Sequence, residues 1–317
     1  MLKNRIKWTV SVLATAMALS ACQPKQKEPE QPQAASAAVV ENDALKLKGD
    51  TEKLALNLPE CDGNSCPEVS VERLSTNQPF IDELIDREIL KQLNQILDVA
   101  PEEAVKAEQR TAASESLPAS QAEAKMPLPK QQLEQQLKPF VAALLSMDSE
   151  LKQLSSSHQI SVMVKPKILN SEGALVTVVL NSSSYLGGAH GSSAQQYYNF
   201  DLEKKKLIPL GQVLQAGKQP ALDKLAHEAF KLWVVDSKLA GSVDEYEQAW
   251  KFKLSENYYL GKDGLILQYA EYEIGPYVVG LPRLTISYSQ LQGILKKEYL
   301  PASEQPASEP KIEKAQS

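Results

Sequence analysis

Apolar positions along this chain change their period several times, and each change predicts an element. Residues 51–58 and 66–74 alternate apolar and polar over short runs, as half-buried strands do. From Phe80 the period lengthens. Ile81, Leu84, Ile85, Ile89, Leu93, Ile96 and Leu97 recur at helical spacing, which predicts a helix over 80–97. A second helical pattern covers 131–154 through Leu133, Leu137, Phe140, Val141, Leu144, Leu145 and Leu151. Between the two, residues 101–126 hold Ala, Glu, Gln and Ser with few large apolar side chains; a loose helix and an inserted linker both fit.

Past His158 the texture becomes rich in Val and Ile. Strands are predicted over 160–169 and 174–184, separated by the turn Asn170-Ser171-Glu172-Gly173. A third follows over 195–202, then a polar turn at 203–206 and a continuation over 207–210. Residues 221–235 form an amphipathic helix with Leu222, Leu225, Ala226, Ala229, Phe230 and Trp233 on one face. Residues 252–259 and 265–272 flank Gly261-Lys262-Asp263-Gly264, a hairpin signal. A last strand is predicted over 284–288 and a last helix over 290–300. Strands run mostly into strands, with helices appended, so the expected class is α+β with a largely antiparallel sheet, packed helices and two subdomains.

The ends read differently. Lys3, Arg5 and Lys7 precede 12 uncharged, mostly apolar residues, 8–19. That run is shorter than the ~20 residues a membrane-spanning helix needs and fits a signal-peptide core. Leu19-Ser20-Ala21-Cys22 then has the shape of a bacterial lipobox. On this reading Cys22 is lipidated and anchors the protein in a membrane; an ordinary signal peptide followed by Cys is the alternative. Gln23, rather than Asp, points to the outer membrane, facing the periplasm, in a Gram-negative host. Residues 22–50 have the Gln, Pro, Glu and Lys content of a disordered tether, and 301–317 that of a disordered tail. The expected organisation is a signal peptide (1–21), the tether, an N-terminal α+β subdomain with a helical insertion (51–157), a C-terminal α+β domain (158–300) and the tail.

Charge narrows the partners. The 317-residue chain carries 34 Lys and Arg against 40 Asp and Glu; without the three signal-peptide cations the balance falls from -6 to -9. An acidic chain with no basic block is a poor match for nucleic acid. Cys61 and Cys66 remain once Cys22 is assigned to lipid, and Asp62-Gly63-Asn64-Ser65 between them is turn chemistry. The pair reads as a disulfide in an oxidising compartment. Half of a metal site is the alternative, with no second Cys pair or nearby His to complete it.

Catalytic signatures are scarce. There are three His, His158, His190 and His227, with no HExxH, no GxSxG elbow and no phosphate loop; no cofactor or metal is expected. His190 stands between Gly188-Ala189 and Gly191, where the backbone can bend sharply or approach a partner closely. It either presents its ring to a ligand or caps a tight bend. His227, on the amphipathic helix, reads as structure. Glu271 and Glu273 share a face if 265–273 is a strand, and paired carboxylates serve acid–base or glycan chemistry as well as plain solvation. Tyr269, Tyr272 and Tyr277 interleave with them, and Pro276 fixes a turn.

Two runs carry a family resemblance. Tyr185-Leu186-Gly187-Gly188-Ala189-His190-Gly191 precedes a strand ending in Asn199-Phe200-Asp201-Leu202, followed by Leu210-Gly211-Gln212-Val213-Leu214 and a helix. Later, Tyr272-Glu273-Ile274-Gly275-Pro276-Tyr277-Val278-Val279-Gly280 precedes Leu284-Thr285-Ile286-Ser287-Tyr288. Over roughly 158–298 this resembles the extracellular domain of the RsiV anti-sigma factor family, a module that also accompanies the catalytic domain of PdaC-type peptidoglycan deacetylases. Residues 52–97 resemble the smaller domain that precedes it. The chain departs from RsiV in having no transmembrane helix and no sigma-binding segment. In RsiV the module binds lysozyme, so the resemblance implies a lipid-anchored envelope binding protein, for lysozyme or for peptidoglycan. The alternative is an enzyme acting on cell-wall glycan through His190 with Glu271 or Glu273. The candidate contact residues are Tyr185, Gly187, Gly188, His190, Gly191, Glu271, Tyr272, Glu273, Pro276 and Tyr277.

Overall fold

The computed structural model describes residues 45–61, 66–99, 129–154 and 159–301. Cys22, the signal segment, most of the expected tether, residues 101–126, His158, the turn 62–65 and the tail past 301 lie outside them. Six strands, β1 (Gly49–Lys53), β2 (Glu68–Thr76), β3 (Ser161–Asn170), β4 (Val176–Tyr185), β5 (Ser192–Asp201) and β6 (Lys206–Leu207), make one sheet in that spatial order. Neighbours are antiparallel except β2 and β3, which run parallel with Val71 opposite Val164. A parallel pair needs a long crossover, and the chain between them supplies helices α1 (Pro79–Leu97) and α2 (Pro129–Gln153).

The helical period sets the packing. Ile81, Ile85, Ile89, Leu93 and Leu97 line one face of α1, and Leu133, Leu137, Phe140 and Leu144 one face of α2. Both bury these faces in a core with Val71, Val162, Val164 and the apolar start of β4. Asp82 fixes the entry to α1 by accepting from the Thr76 backbone N–H and hydroxyl, each at 2.8 Å. Buried Arg73 joins three elements by donating to Asp86 at 2.8 Å and to Glu52 at 2.9 Å. Burial pushes the Asp86 carboxyl up against the opposing pull of Arg73.

The second core is built from later residues. Helices α3 (Leu210–Val213), α4 (Gln219–Asp236) and α5 (Val243–Ala249) accompany an antiparallel sheet of β7 (Tyr258–Leu260), β8 (Gly264–Gln268) and β9 (Arg283–Ser287). Leu222, Ala226, Phe230 and Val234 of α4 are buried with Leu265, Leu267, Leu284 and Ile286. The expected hairpin turn is present, with the Gly261 N–H donating to the Gly264 carbonyl at 2.8 Å. Amide side chains bind this part to the first sheet. Asn257 accepts from the Tyr197 N–H at 2.8 Å and donates to the Gln195 carbonyl at 2.7 Å, as a neighbouring strand would. Asn199 donates to the Tyr258 carbonyl at 2.7 Å.

The α+β class and the largely antiparallel pairing agree with the sequence pattern. Several details differ. The body starts before Thr51, since Leu47 is buried and β1 opens at Gly49. The boundary expected between 157 and 158 falls within one sheet, because β2 pairs with β3. Strand β7 is three residues long, and β8 stops at Gln268 instead of reaching residue 272. Residues 290–300 do not form the expected helix; a short 3-10 turn, Lys297–Tyr299, stands near their end. Their backbone pairs elsewhere: the Lys296 N–H donates to the Val213 carbonyl at 3.0 Å, and the Ile294 carbonyl accepts from Gln215 at 2.8 Å.

Candidate functional site

Strand β4 has two halves. Residues 176–180 are buried and apolar apart from Thr177, whereas 181–185 are polar or aromatic and, apart from buried Ser182, half-buried, ending in Tyr185 opposite Ser161. The loop 186–191 then returns the chain to β5. Leu186 packs back against the large core. Gly187 has φ +84°, a conformation L side chains rarely adopt, and a Cβ there would lie 3.0 Å from Leu151 Cδ1 of α2. At Gly191 a Cβ would stand 2.9 Å from the Ser184 carbonyl oxygen. The loop can therefore fold flat across the sheet tip, leaving Gly188, Ala189 and His190 exposed.

His190 is held on three sides. Its Nδ1 lies 2.9 Å from the Gly191 carbonyl oxygen and its Nε2 3.0 Å from the Tyr272 hydroxyl. A carbonyl only accepts, so Nδ1 carries the hydrogen and, in the neutral ring, Nε2 accepts from Tyr272. The imidazole also stacks on Tyr277, with centroids 3.8 Å apart and planes 21° apart. Tyr272 and Tyr277 lie 5.9 Å apart at 30°.

The two tyrosines come from the turn that follows β8. Tyr272 itself has φ +62°, a left-handed conformation that costs a non-glycine residue about 1–3 kcal/mol. The turn is tied down around it. Glu271 accepts from the Ser192 hydroxyl and the Ser193 N–H, both at 3.0 Å, which fastens the turn to the start of β5. Glu273 accepts from the Ala270 N–H at 2.9 Å and pairs with Lys253 at 3.2 Å. Buried Tyr246 donates to the Ile274 carbonyl at 3.0 Å. Pro276, after a trans bond, leads into a 3-10 turn, Tyr277–Val279.

These contacts correct one expectation. Glu271 and Glu273 do not share a strand face, because β8 ends before them and each carboxylate serves a different anchor. Tyr269 is not a surface residue either; it is fully buried and donates to the Lys253 carbonyl at 2.9 Å. His227 stays structural, bonded to Glu247 at 2.8 Å and stacked on Phe252. Cys61 and Cys66 are joined as a disulfide with Cα atoms 5.9 Å apart. Among the described residues no group of three or more His, Cys, Asp or Glu is placed to hold a metal ion. No described helix is long and apolar enough to cross a membrane. The structure adds Ser192, Ser193, Lys253 and exposed Val278 to the site, residues with no signal in the sequence pattern.

The arrangement suits contact better than proton transfer. Both His190 nitrogens and both carboxylates are occupied, while the rings stay partly exposed even though His190 and Tyr277 cover one face of each other. Tyr272 is 50% exposed, Tyr277 36% and Val278 86%.

Residues 212–289, which include the turn but not the His190 loop, match a family model described as a protein of unknown function, DUF3298. The peptidoglycan-N-acetylmuramic acid deacetylase PdaC of Bacillus subtilis is 25% identical over 141 residues. That match covers 42% of this chain and 29% of the relative, so the chain spans under a third of the relative's length. A crystal structure of a DUF3298-family protein from Pseudomonas aeruginosa superposes with a TM-score of 0.54 at 24% identity, covering 81% of this chain and 97% of the other. One from Bacteroides fragilis gives 0.52 at 18%, covering 80% and 95%. These two share the fold.

Proposed function

We propose that this chain is a cell-envelope binding protein, lipid-anchored through Cys22, that takes the glycan of peptidoglycan on a platform of His190, Tyr272 and Tyr277. The carrying observation is the platform itself: exposed rings locked to one another and held from behind by Glu271 and Tyr246. Tyrosine and histidine rings offer flat apolar faces with polar edges, and a pyranose has the same two characters. Similarity to a relative named as a peptidoglycan deacetylase supports the glycan. Catalysis by His190 with Glu271 or Glu273 has less support, since none of the three presents a free acid or base toward a shared space.

Lysozyme is the second reading. Val278 favours it, standing exposed beside the rings as an anchor for a protein pocket, and so does the acidic balance of the chain. Co-sedimentation with purified peptidoglycan sacculi, run beside a lysozyme titration, separates the two. The wild-type protein is expected to sediment with sacculi, and Tyr277→Ala and His190→Ala to weaken that binding by about tenfold, a hot-spot loss. Equal sedimentation of both variants, or none by the wild type, overturns the glycan reading. Binding to lysozyme alone establishes the second.

A further inference from the structure

Beside the platform lies a polar groove of about 330 Å³ between β5 and the segment that precedes β7. Gln196, Lys253, Glu256, Asn257 and Glu273 line it, with Ala194 and Leu254 as apolar wall. Ala270 and Glu273, at its rim, belong to the turn that carries Tyr272, so the groove opens where the platform ends. We infer that this groove is a second sugar subsite, which receives the acetamido group of an N-acetylhexosamine next to the sugar stacked on the rings. The inference rests on the glycan reading above.

The groove's groups divide into occupied and available ones. Asn257 is spent bridging the backbone of β5, and Lys253 and Glu273 neutralise each other. The side chains of Gln196 and Glu256 make no hydrogen bond to any other described residue. Gln196 is half-buried on β5, and both the N–H and the C=O of its side-chain amide are available. An acetamido group presents the same two functions in the complementary sense. Glu256, exposed at the rim, can accept from sugar hydroxyls. With Lys253 and Glu273 paired, Glu256 at the rim is the uncompensated charge of the lining. The groove's volume sits at the lower end of the ~300–1,000 Å³ of small-molecule sites, enough for one sugar and not for a chain of them.

The test is calorimetric titration of the purified protein with N-acetylglucosamine oligomers of increasing length. Affinity is expected to step up once the oligomer can occupy platform and groove together. Gln196→Ala should remove about three- to tenfold of affinity, the scale of one lost hydrogen bond, from the longer oligomers and leave the shortest unchanged. Glucosamine oligomers, which lack the acetyl group, should bind the wild type as weakly as the acetylated ones bind Gln196→Ala. Tyr277→Ala should weaken every length. If Tyr277→Ala weakens binding while Gln196→Ala and Glu256→Ala change nothing at any length, the subsite is overturned and the platform stands. If no oligomer binds, the glycan reading falls and takes the subsite with it.

Discussion

Tyr272 holds a backbone conformation that suits glycine, and the bonds around it show what the strain sustains. The left-handed turn aims its ring outward and its hydroxyl at His190. Tyr272→Gly should therefore separate stability from binding. The denaturation midpoint is expected to stay level or rise, since up to about 1–3 kcal/mol of strain is relieved. Binding to sacculi should fall with the loss of the ring. A large drop in the midpoint would mean that the ring, not its neighbours, holds the turn together. Much at this scale was legible in the sequence: the glycines around His190 and the tyrosines near Pro276 pointed to a bend and an aromatic turn. The partnership between them was not. Glu271 reaches Ser192 across 79 positions of chain, and His190 reaches Tyr272 across 82, distances that no local pattern encodes. The two glutamates misled because alternation was extended past Gln268, where the strand stops.

At the scale of elements, long periodic helices were the most readable. Helices α1 and α4 lie where Ile81 to Leu97 and Leu222 to Trp233 placed them, because a stripe of that length can be buried only one way. Short elements depended on end chemistry. Helix α5 has a weak apolar stripe and was not expected from the hydrophobic pattern; its start is fixed by Ser242, whose side chain accepts from the Glu245 N–H at 3.2 Å. Residues 290–300 looked helical, yet their backbone groups found partners near Val213 and Gln215. The parallel β2–β3 pair carries a pH signature. Lys165 lies 3.0 Å from Glu72 across it and holds that carboxyl below its ordinary value, with burial opposing. A depressed carboxylate stabilises the fold above the ordinary carboxylate range and loses that contribution as pH falls through the lowered value. Glu72→Gln should accordingly lower the melting temperature slightly near neutrality, for a loss of ~0.2–1 kcal/mol, typical of a partly exposed pair. The gap to wild type should close on acidification; a gap that widened toward low pH would contradict this account of the pair.

At the scale of the molecule, the large sheet has two ends with different content. The chain enters beside Ser171, whose carbonyl accepts from the Leu47 N–H at 2.8 Å, while Lys46 pairs with Glu172. Tyr299, close to the last described residues, lines a cavity with Leu45, Gly173 and Asp201 at that same end. The His190 loop caps the other end of β4 and β5, ten-residue strands that span roughly 30 Å. Cys22→Ser should move the protein from the membrane fraction to the soluble fraction without altering its affinity for sacculi. Retention in the membrane fraction would refute anchoring through that residue. The most direct measurement of the central claim is a heteronuclear NMR titration of the protein with soluble peptidoglycan fragments. Saturable shifts confined to residues 186–196, 253–257 and 270–280, including the His190 ring, are the predicted result. Shifts clustered elsewhere, or none at millimolar ligand, would contradict it.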